Sequence, residues 1–269
     1  MDFIKELNGN RLYTFHSHTE FCDGRAQMEA FAREALRQGF THYGFTPHSP
    51  ITIESPCNMT RENVDRYLAE VDRIKQTHGH ACKFYAGMEI DYLGPEWGPA
   101  SQYFKTLPLD FSIGSVHFIP AQNGEYIDID GHFDAFKRKM EQNFHKDIHY
   151  VVETFYAQSH RMIDAGGFDI IGHLDKIGHN ASQYAPGIED TPWYRTLADE
   201  LVDHAIAANI TIELNTKAWD AHRRLFPSPR HIRHLVESNS PLIVNSDAHV
   251  PALINAGRQY TFTLLDAII

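Results

Sequence analysis

A chain of 269 residues, 42% hydrophobic and 22% charged, has the composition of a globular protein and is long enough for one large α/β domain or two ordinary ones. Its formal net charge of −11 argues against a nucleic-acid backbone as its main partner, because that binding needs clustered Lys and Arg, although bound divalent cations can reverse the local field for a small anion. The three cysteines, Cys22, Cys57 and Cys82, are odd in number and widely spaced, which argues against a disulfide framework; the segment Met1–Leu7 lacks signal-peptide features and no stretch approaches the roughly 20 apolar residues of a membrane span, so a cytoplasmic protein with no membrane partner is expected.

In chain order, short apolar runs alternate with helical stretches. Leu12–His16 is the first run, followed by an amphipathic helix over Gln27–Arg37 that Gly39 closes. Thr41–Thr46 is the second, emptying into Pro47-His48. Thr60 reads as the cap of a helix reaching about Gln76. Lys83–Ile90 is the third run and Phe111–His117 the fourth; between Tyr92 and Gln142 the periodicity is poor. A long helix is expected over Lys146–Ala165, stopped by Gly166-Gly167, and Phe168–Gly172 is the fifth run. Trp193–Ala208 is helical in period, Ile210–Leu214 is the sixth run, Arg230–Glu237 a short helix, and Pro241–Val244 the seventh run. Strands alternating with helices predict a parallel sheet with right-handed crossovers, and seven such units fit a closed or nearly closed barrel, with no linker dividing the chain.

In a β/α barrel, reactive groups gather at the C-terminal strand ends, and ligand-type side chains recur there. His16 and His18 end the first run, where i, i+2 spacing on an extended strand turns both rings to one face. His48 follows the second run, Glu89 ends the third, His117 the fourth, His173 the fifth, and Asp247 with His249 the seventh, while Asp23 sits in the loop after His18. Any one of these read alone suits a surface or turn residue. Their recurrence at nearly every strand end requires a shared cause, and metal binding supplies one. Imidazole with carboxylate suits Zn, Fe or Mn rather than Ca, and so many ligands imply two or three ions with a bridging carboxylate.

The motifs His16-Ser-His18, His48, Gly-Met-Glu89, Ser-Val-His117, Gly-His173 and Ser-Asp247-Ala-His249, in this order and spanning nearly the whole chain, resemble the polymerase and histidinol phosphatase (PHP) family. The resemblance implies one domain over 1–269, a distorted (β/α)7 TIM-like barrel, with a cluster of up to three ions. It would assign one ion to His16, His18, Glu89 and Asp247, a second to Glu89, His117 and His173, and a third to Asp23, His48 and His249; some members carry a histidine in place of Asp23. One departure from the family pattern is expected at the C-terminus, where Ile269 follows soon after the last motif and such proteins often continue further, leaving the eighth crossover incomplete or irregular.

Within the family the chain looks most like the members that hydrolyse L-histidinol phosphate, on the segments Phe45–Pro50, Gly87–Tyr92, Ser115–Phe118, Glu213–Thr216 and Phe226–Ser228. The expected reaction is in-line attack on phosphorus by a hydroxide between two ions, with Glu89 bridging and Asp247 or a nearby histidine handling the proton. A guanidinium or ammonium is the usual protein addition for a phosphate dianion. Arg223 and then Lys176 are the candidates, with Asn215 beside them in the substrate segment, whereas Arg161 reads as a solvated helix face. Another phosphoester, such as a nucleotide or sugar phosphate, is the alternative substrate; a non-catalytic metal module is disfavoured because every ligand position is filled.

Overall fold

In the computed structural model, residues 3–268 are described; Met1 and Asp2 of the leading segment, and Ile269, lie outside them. Helix α1 (Phe3–Leu7) precedes strand β1 (Tyr13–Thr14), helix α2 (Met28–Arg37) and strand β2 (His42–Phe45). Gly39, at φ +75°, supplies the left-handed turn that ends α2. Helix α3 (Val64–His78) follows a 3₁₀ turn over Arg61–Asn63, and Thr60 precedes that turn without the side-chain capping bond expected of it. Strands β3 (Lys83–Ala86) and β4 (Glu89–Asp91), the short helix α4 (Gln102–Lys105) and strand β5 (Ile113–Ser115) come next.

The poorly periodic stretch then forms an antiparallel hairpin, β6 (Phe118–Pro120) with β7 (Tyr126–Asp128), and helix α5 (Phe133–Asn143). A hairpin signal was present there in Asn123-Gly124, with Gly124 at φ +87°. Helix α6 (Ile148–Ala165) begins two residues later than its periodicity suggested, because the Asp147 side chain caps it by accepting from the Tyr150 amide at 3.0 Å. Strand β8 (Ile170–Ile171), helix α7 (Ile177–Tyr184), helix α8 (Pro192–Ala207), strand β9 (Thr211–Asn215), helices α9 (Trp219–His222) and α10 (Pro229–Glu237), strand β10 (Leu242–Asn245) and helix α11 (Arg258–Asp266) complete the order.

All seven runs contribute parallel strands, but they lie in two sheets, β1-β2-β3 and β10-β9-β8-β5-β4. Single parallel bridges link the two sheets, Ser17 after the edge strand β1 to Ala248 after β10, and His48 after the middle strand β2 to Glu89 of β4, so the expected barrel takes the form of two ladders linked at isolated points. The third run accounts for the break. Gly87-Met88 interrupts it, leaving β3 paired with β2 while β4 pairs with β5. These bridges bring the segments after β1, β2 and β10 beside the start of β4, where the candidate ligands lie.

The Phe111 ring makes that break possible. It packs edge-on against Phe3 and Phe15, each at 5.5 Å between centroids, and occupies space that side chains on β2 and the third run would need. A Cβ at Gly44 would come within 2.7 Å of Phe111 Cζ, and one at Gly87 within 2.4 Å. The segment after β10 is tied down by Arg258. Its guanidinium is 1% exposed, donates to the Val244 carbonyl at 3.2 Å and the Arg11 carbonyl at 3.1 Å, and lies over the Tyr13 ring. Among the described residues, no helix is long and apolar enough to cross a membrane.

Truncating the buried Phe111 ring leaves a cavity between the two ladders. Phe111→Ala is expected to destabilise the fold by about 3–5 kcal/mol, read from the midpoint of urea unfolding at unchanged slope.

Candidate metal centre

Strand periodicity sets the inner face of the centre. His16 and His18 extend β1 with both rings turned inward, while Ser17 between them faces the other way and donates from Oγ to the Gly44 carbonyl at 3.0 Å. Glu89 and Asp91 stand two apart on β4, and Glu213 and Asn215 two apart on β9, so each strand offers a pair of polar groups to one face. Asp247 follows β10 at φ +49°, a left-handed conformation that Asp tolerates better than most residues and that turns the chain at the sheet's end.

Donor atoms converge in three groups: His16, His18 and Asp247; His48, Glu89 and His117; and His18, Asp23, His48 and His249, with the atoms of each group within 4.8 Å of one another. Glu89 lies between them. Its Oε2 is 3.3 Å from His16 Nε2, 3.4 Å from His18 Nε2 and 3.1 Å from His48 Nδ1. Its Oε1 is 2.9 Å from His173 Nε2 and 3.5 Å from His117 Nε2, and accepts from Ser115 Oγ at 2.7 Å. Asp247 Oδ1 is 3.1 Å from His18 Nε2 and 3.6 Å from His249 Nδ1, and Asp23 Oδ1 is 3.4 Å from His249 Nε2. The nine candidates therefore meet in one place. His18 and His48 each belong to two groups, where the sequence reading gave each a single ion.

Five inward-facing atoms, His16 Nε2, His18 Nε2, Asp23 Oδ1, His48 Nδ1 and Glu89 Oε2, are buried without a hydrogen-bond partner. Burying even one such atom is costly, and five that converge present the nitrogen and oxygen lone pairs a divalent transition metal takes. The residues present fit such ions. Cys22 Sγ, 3.5 Å from His18 Nδ1, is a poor ligand because burial pushes its thiol up to about 12.

An outer layer holds these ligands. His16 turns Nδ1 to Glu213 Oε1 at 2.6 Å, and His117 turns Nδ1 to Asp91 Oδ1 at 2.7 Å, which leaves each Nε2 facing Glu89. The same Glu213 accepts from the His173 amide at 2.9 Å and from the side-chain amides of Asn215 and Asn245, each at 3.0 Å. Asn215 Nδ2 also donates to Asp247 Oδ2 at 3.1 Å.

Burial disfavours charge on every one of these groups, so the neighbours decide their states. Against burial, the rings of His16, His117 and His48 hold Glu89 well below the usual carboxylate range, and Lys217 and His16 do the same for Asp247. Burial together with the His249 and His48 rings holds His18 well below an ordinary imidazole, and burial lowers His48 and His173 as well. His16 is raised well above its ordinary value, against burial, by Glu213, Asp247 and Glu89; His117 is raised to about 9, against burial, by Asp91 and Glu89. Anionic carboxylates and neutral imidazoles are the forms that bind metal, and an ion at His16 or His117 would displace a proton.

The expected substrate groups are placed differently. Lys176 Nζ pairs with Asp130 Oδ2 at 3.2 Å and lies over the Phe226 ring. Arg223, at φ +53°, stacks over Trp219 and lines a cavity of about 580 Å³ with Asp175 and Arg224, whose walls include none of the nine candidate ligands. Asn215 is fully buried, with its amide spent on Glu213 and Asp247. Arg161 is exposed, as read. Asp130 and Lys217 carry no role in the sequence pattern, and Glu213 and Asp91 stand there only within the flanking segments Glu213–Thr216 and Gly87–Tyr92. The signal for Glu213 and Asp91 was their i, i+2 spacing from Asn215 and Glu89. Lys217, directly after the Asn215-Thr216 strand end, reaches Asp247 Oδ1 at 3.3 Å and His249 Nε2 at 3.2 Å.

Comparison with known proteins agrees with this geometry. The chain is 27% identical over 251 residues to a protein of Deinococcus radiodurans named "Probable histidinol-phosphatase", covering 88% of this chain and 85% of the relative. In fold it resembles a Listeria monocytogenes protein assigned to the histidinol phosphatases, with a TM-score of 0.81 and 18% identity over 92% of this chain and 99% of that one. It also resembles the Lactococcus lactis histidinol phosphate phosphatase solved with zinc, L-histidinol and phosphate, with a TM-score of 0.63 and 17% identity over 95% of this chain and 93% of that one. The PHP domain profile matches residues 14–217, from the β1 strand that carries His16 and His18 to the end of the β9 segment that carries Glu213, and the chain belongs to the PHP domain family.

Proposed function

We propose that this chain is a metal-dependent phosphomonoesterase that hydrolyses L-histidinol phosphate to L-histidinol and phosphate, a step of histidine biosynthesis. The observation that carries the metal chemistry is the convergence of five unpartnered buried donor atoms around Glu89. The substrate assignment rests on the relatives, among them the Deinococcus radiodurans protein and the Bacillus subtilis protein named "Histidinol-phosphatase", and on the ligands bound to the Lactococcus lactis enzyme. The reading takes residues 1–269 as one domain, supported by the bridge between Ser17 and Ala248 that joins the two ends of the strand order. Free thiols at Cys22, Cys57 and Cys82 support a cytoplasmic setting, and the net charge of −11 supports a small substrate over nucleic acid.

Two or three ions of Zn, Fe or Mn would be held by His16, His18, Asp23, His48, Glu89, His117, His173, Asp247 and His249, and would supply an activated water and neutralise phosphoryl oxygens. The chain's own residues position that chemistry. Glu89 offers one oxygen to His16, His18 and His48 and the other to His117 and His173, which suits it to link neighbouring ions. Glu213 and Asp91 fix the ring tautomers of His16 and His117. Asp247, steadied by Asn215 at Oδ2, or a nearby histidine would handle the proton passed to the leaving group.

Purified protein incubated with L-histidinol phosphate is expected to release phosphate faster than with nucleotide or sugar phosphates, and equal rates across such a panel would overturn the substrate. Glu89→Ala should lower the rate at least about a hundredfold, and stripping metal with a chelator should abolish it until metal is restored. Glu213→Gln keeps the shape of the side chain but removes the carboxylate behind His16. Competition against a chromophoric chelator should show its metal affinity lowered about 10- to 100-fold.

A further inference from the structure

We propose that Lys217 is the side chain that grips the phosphoryl group at the mouth of the metal centre, an assignment that rests on the phosphoesterase reading above. Among the described residues, Lys217 is the Lys or Arg that pairs with a candidate ligand carboxylate: Nζ lies 3.3 Å from Asp247 Oδ1 and 3.2 Å from His249 Nε2. The side chain is 36% exposed, so it stands on the solvent side of a centre whose inner members, His16, His18, Glu89, His117, His173 and Asp247, are buried.

The nearby cations are committed elsewhere. Lys176 is held by Asp130 and is 11% exposed, Arg224 makes a two-pronged pair with Glu189 at 2.8 and 2.7 Å, and Arg223 lies over Trp219. The base of Lys217 is fixed by its neighbours, and among the described residues its head meets Asp247 and His249 alone. Its amide donates to Asn215 Oδ1 at 3.0 Å, and the preceding Thr216 donates from Oγ1 to the carbonyls of Asn245 at 3.1 Å and Ala256 at 2.6 Å. Gly257 packs against this turn so closely that a Cβ there would come within 2.9 Å of Thr216 Cβ. The strand end therefore aims the lysine stem at the mouth.

One of the two contacts of Nζ is one that an occupied centre withdraws. His249 Nε2 has a single lone pair, which cannot serve both an ammonium and a metal ion, whereas a carboxylate oxygen such as Asp247 Oδ1 has lone pairs for both. Metal loading would thus loosen a cation on a four-carbon tether beside the place where a dianion would bind. A compact, rotatable ammonium suits phosphate as a point charge.

The test uses full-length protein loaded with metal, inorganic phosphate as the probe, titration calorimetry for affinity and elemental analysis for metal content. Lys217→Met should weaken phosphate binding about tenfold or more at the wild-type metal content, and Lys217→Arg should recover most of that loss. Unchanged affinity in Lys217→Met, or no measurable phosphate binding by the wild type, overturns the assignment. So does failure of Lys217→Met to load to the wild-type metal content, which would make Lys217 a support of the metal site. Because the probe is phosphate alone, Lys217-dependent binding in a protein that does not turn over L-histidinol phosphate would overturn the substrate reading and leave this one standing.

Discussion

Glu89 is a fully buried carboxylate surrounded by five imidazoles, and both the sheet and the site depend on where it stands. Its backbone carries the bridge to the strand β2 side: the Ser49 amide donates to the Glu89 carbonyl at 2.8 Å, and the Glu89 amide to the Pro47 carbonyl at 3.1 Å. Its side chain faces rings from the ends of β1, β2, β5 and β8. A buried charge of this kind persists only if its surroundings compensate it, and here the rings do so in part while several of their lone pairs stay unmatched. An arrangement costly to an empty fold is favourable to one holding cations, so metal binding and stability are linked through the same atoms.

Around that centre the support is built from residues that never face solvent. Glu213 touches His16, the His173 backbone, Asn215 and Asn245, and so ties three strand ends to a single carboxylate. Asn245 in turn accepts from the Phe15 amide at 2.8 Å, just before the His16-Ser17-His18 segment. These bonds set ring orientation, which decides whether a lone pair points into the centre. The aromatic packing of Phe111, Phe15 and Phe3 fills the space beside this polar lattice, and the glycines at 44 and 87 let it approach.

Charge is distributed in two layers. Deep in the site, the Glu89 and Asp247 carboxylates are held anionic and the His18, His48 and His173 rings neutral, while His16 and His117 favour the protonated form that a bound cation would displace. At the mouth, Lys176 is matched with Asp130 from the segment after the β6–β7 hairpin, while Lys217 leans on the ligands themselves. Such a division would suit an acidic protein to an anion if metals occupied the centre.

The set of side chains that converge was legible in the sequence because it follows from strand periodicity and from the rule that barrel chemistry gathers at strand ends; neither requires knowing which strand lies beside which. His16 and His18 face one side by their spacing alone. The α/β alternation was legible for the same reason, being a matter of local period. The split of the third run, the bridges that join the two ladders, the Asn123-Gly124 hairpin and the sharing of His18 and His48 between groups depend on contacts between residues far apart in sequence. The placement of the cations was the least legible. A lysine's role depends on the carboxylates it meets, and only the tertiary structure pairs Lys176 with Asp130, stacks Arg223 on Trp219, and brings Lys217 to Asp247 and His249 across 30 and 32 residues.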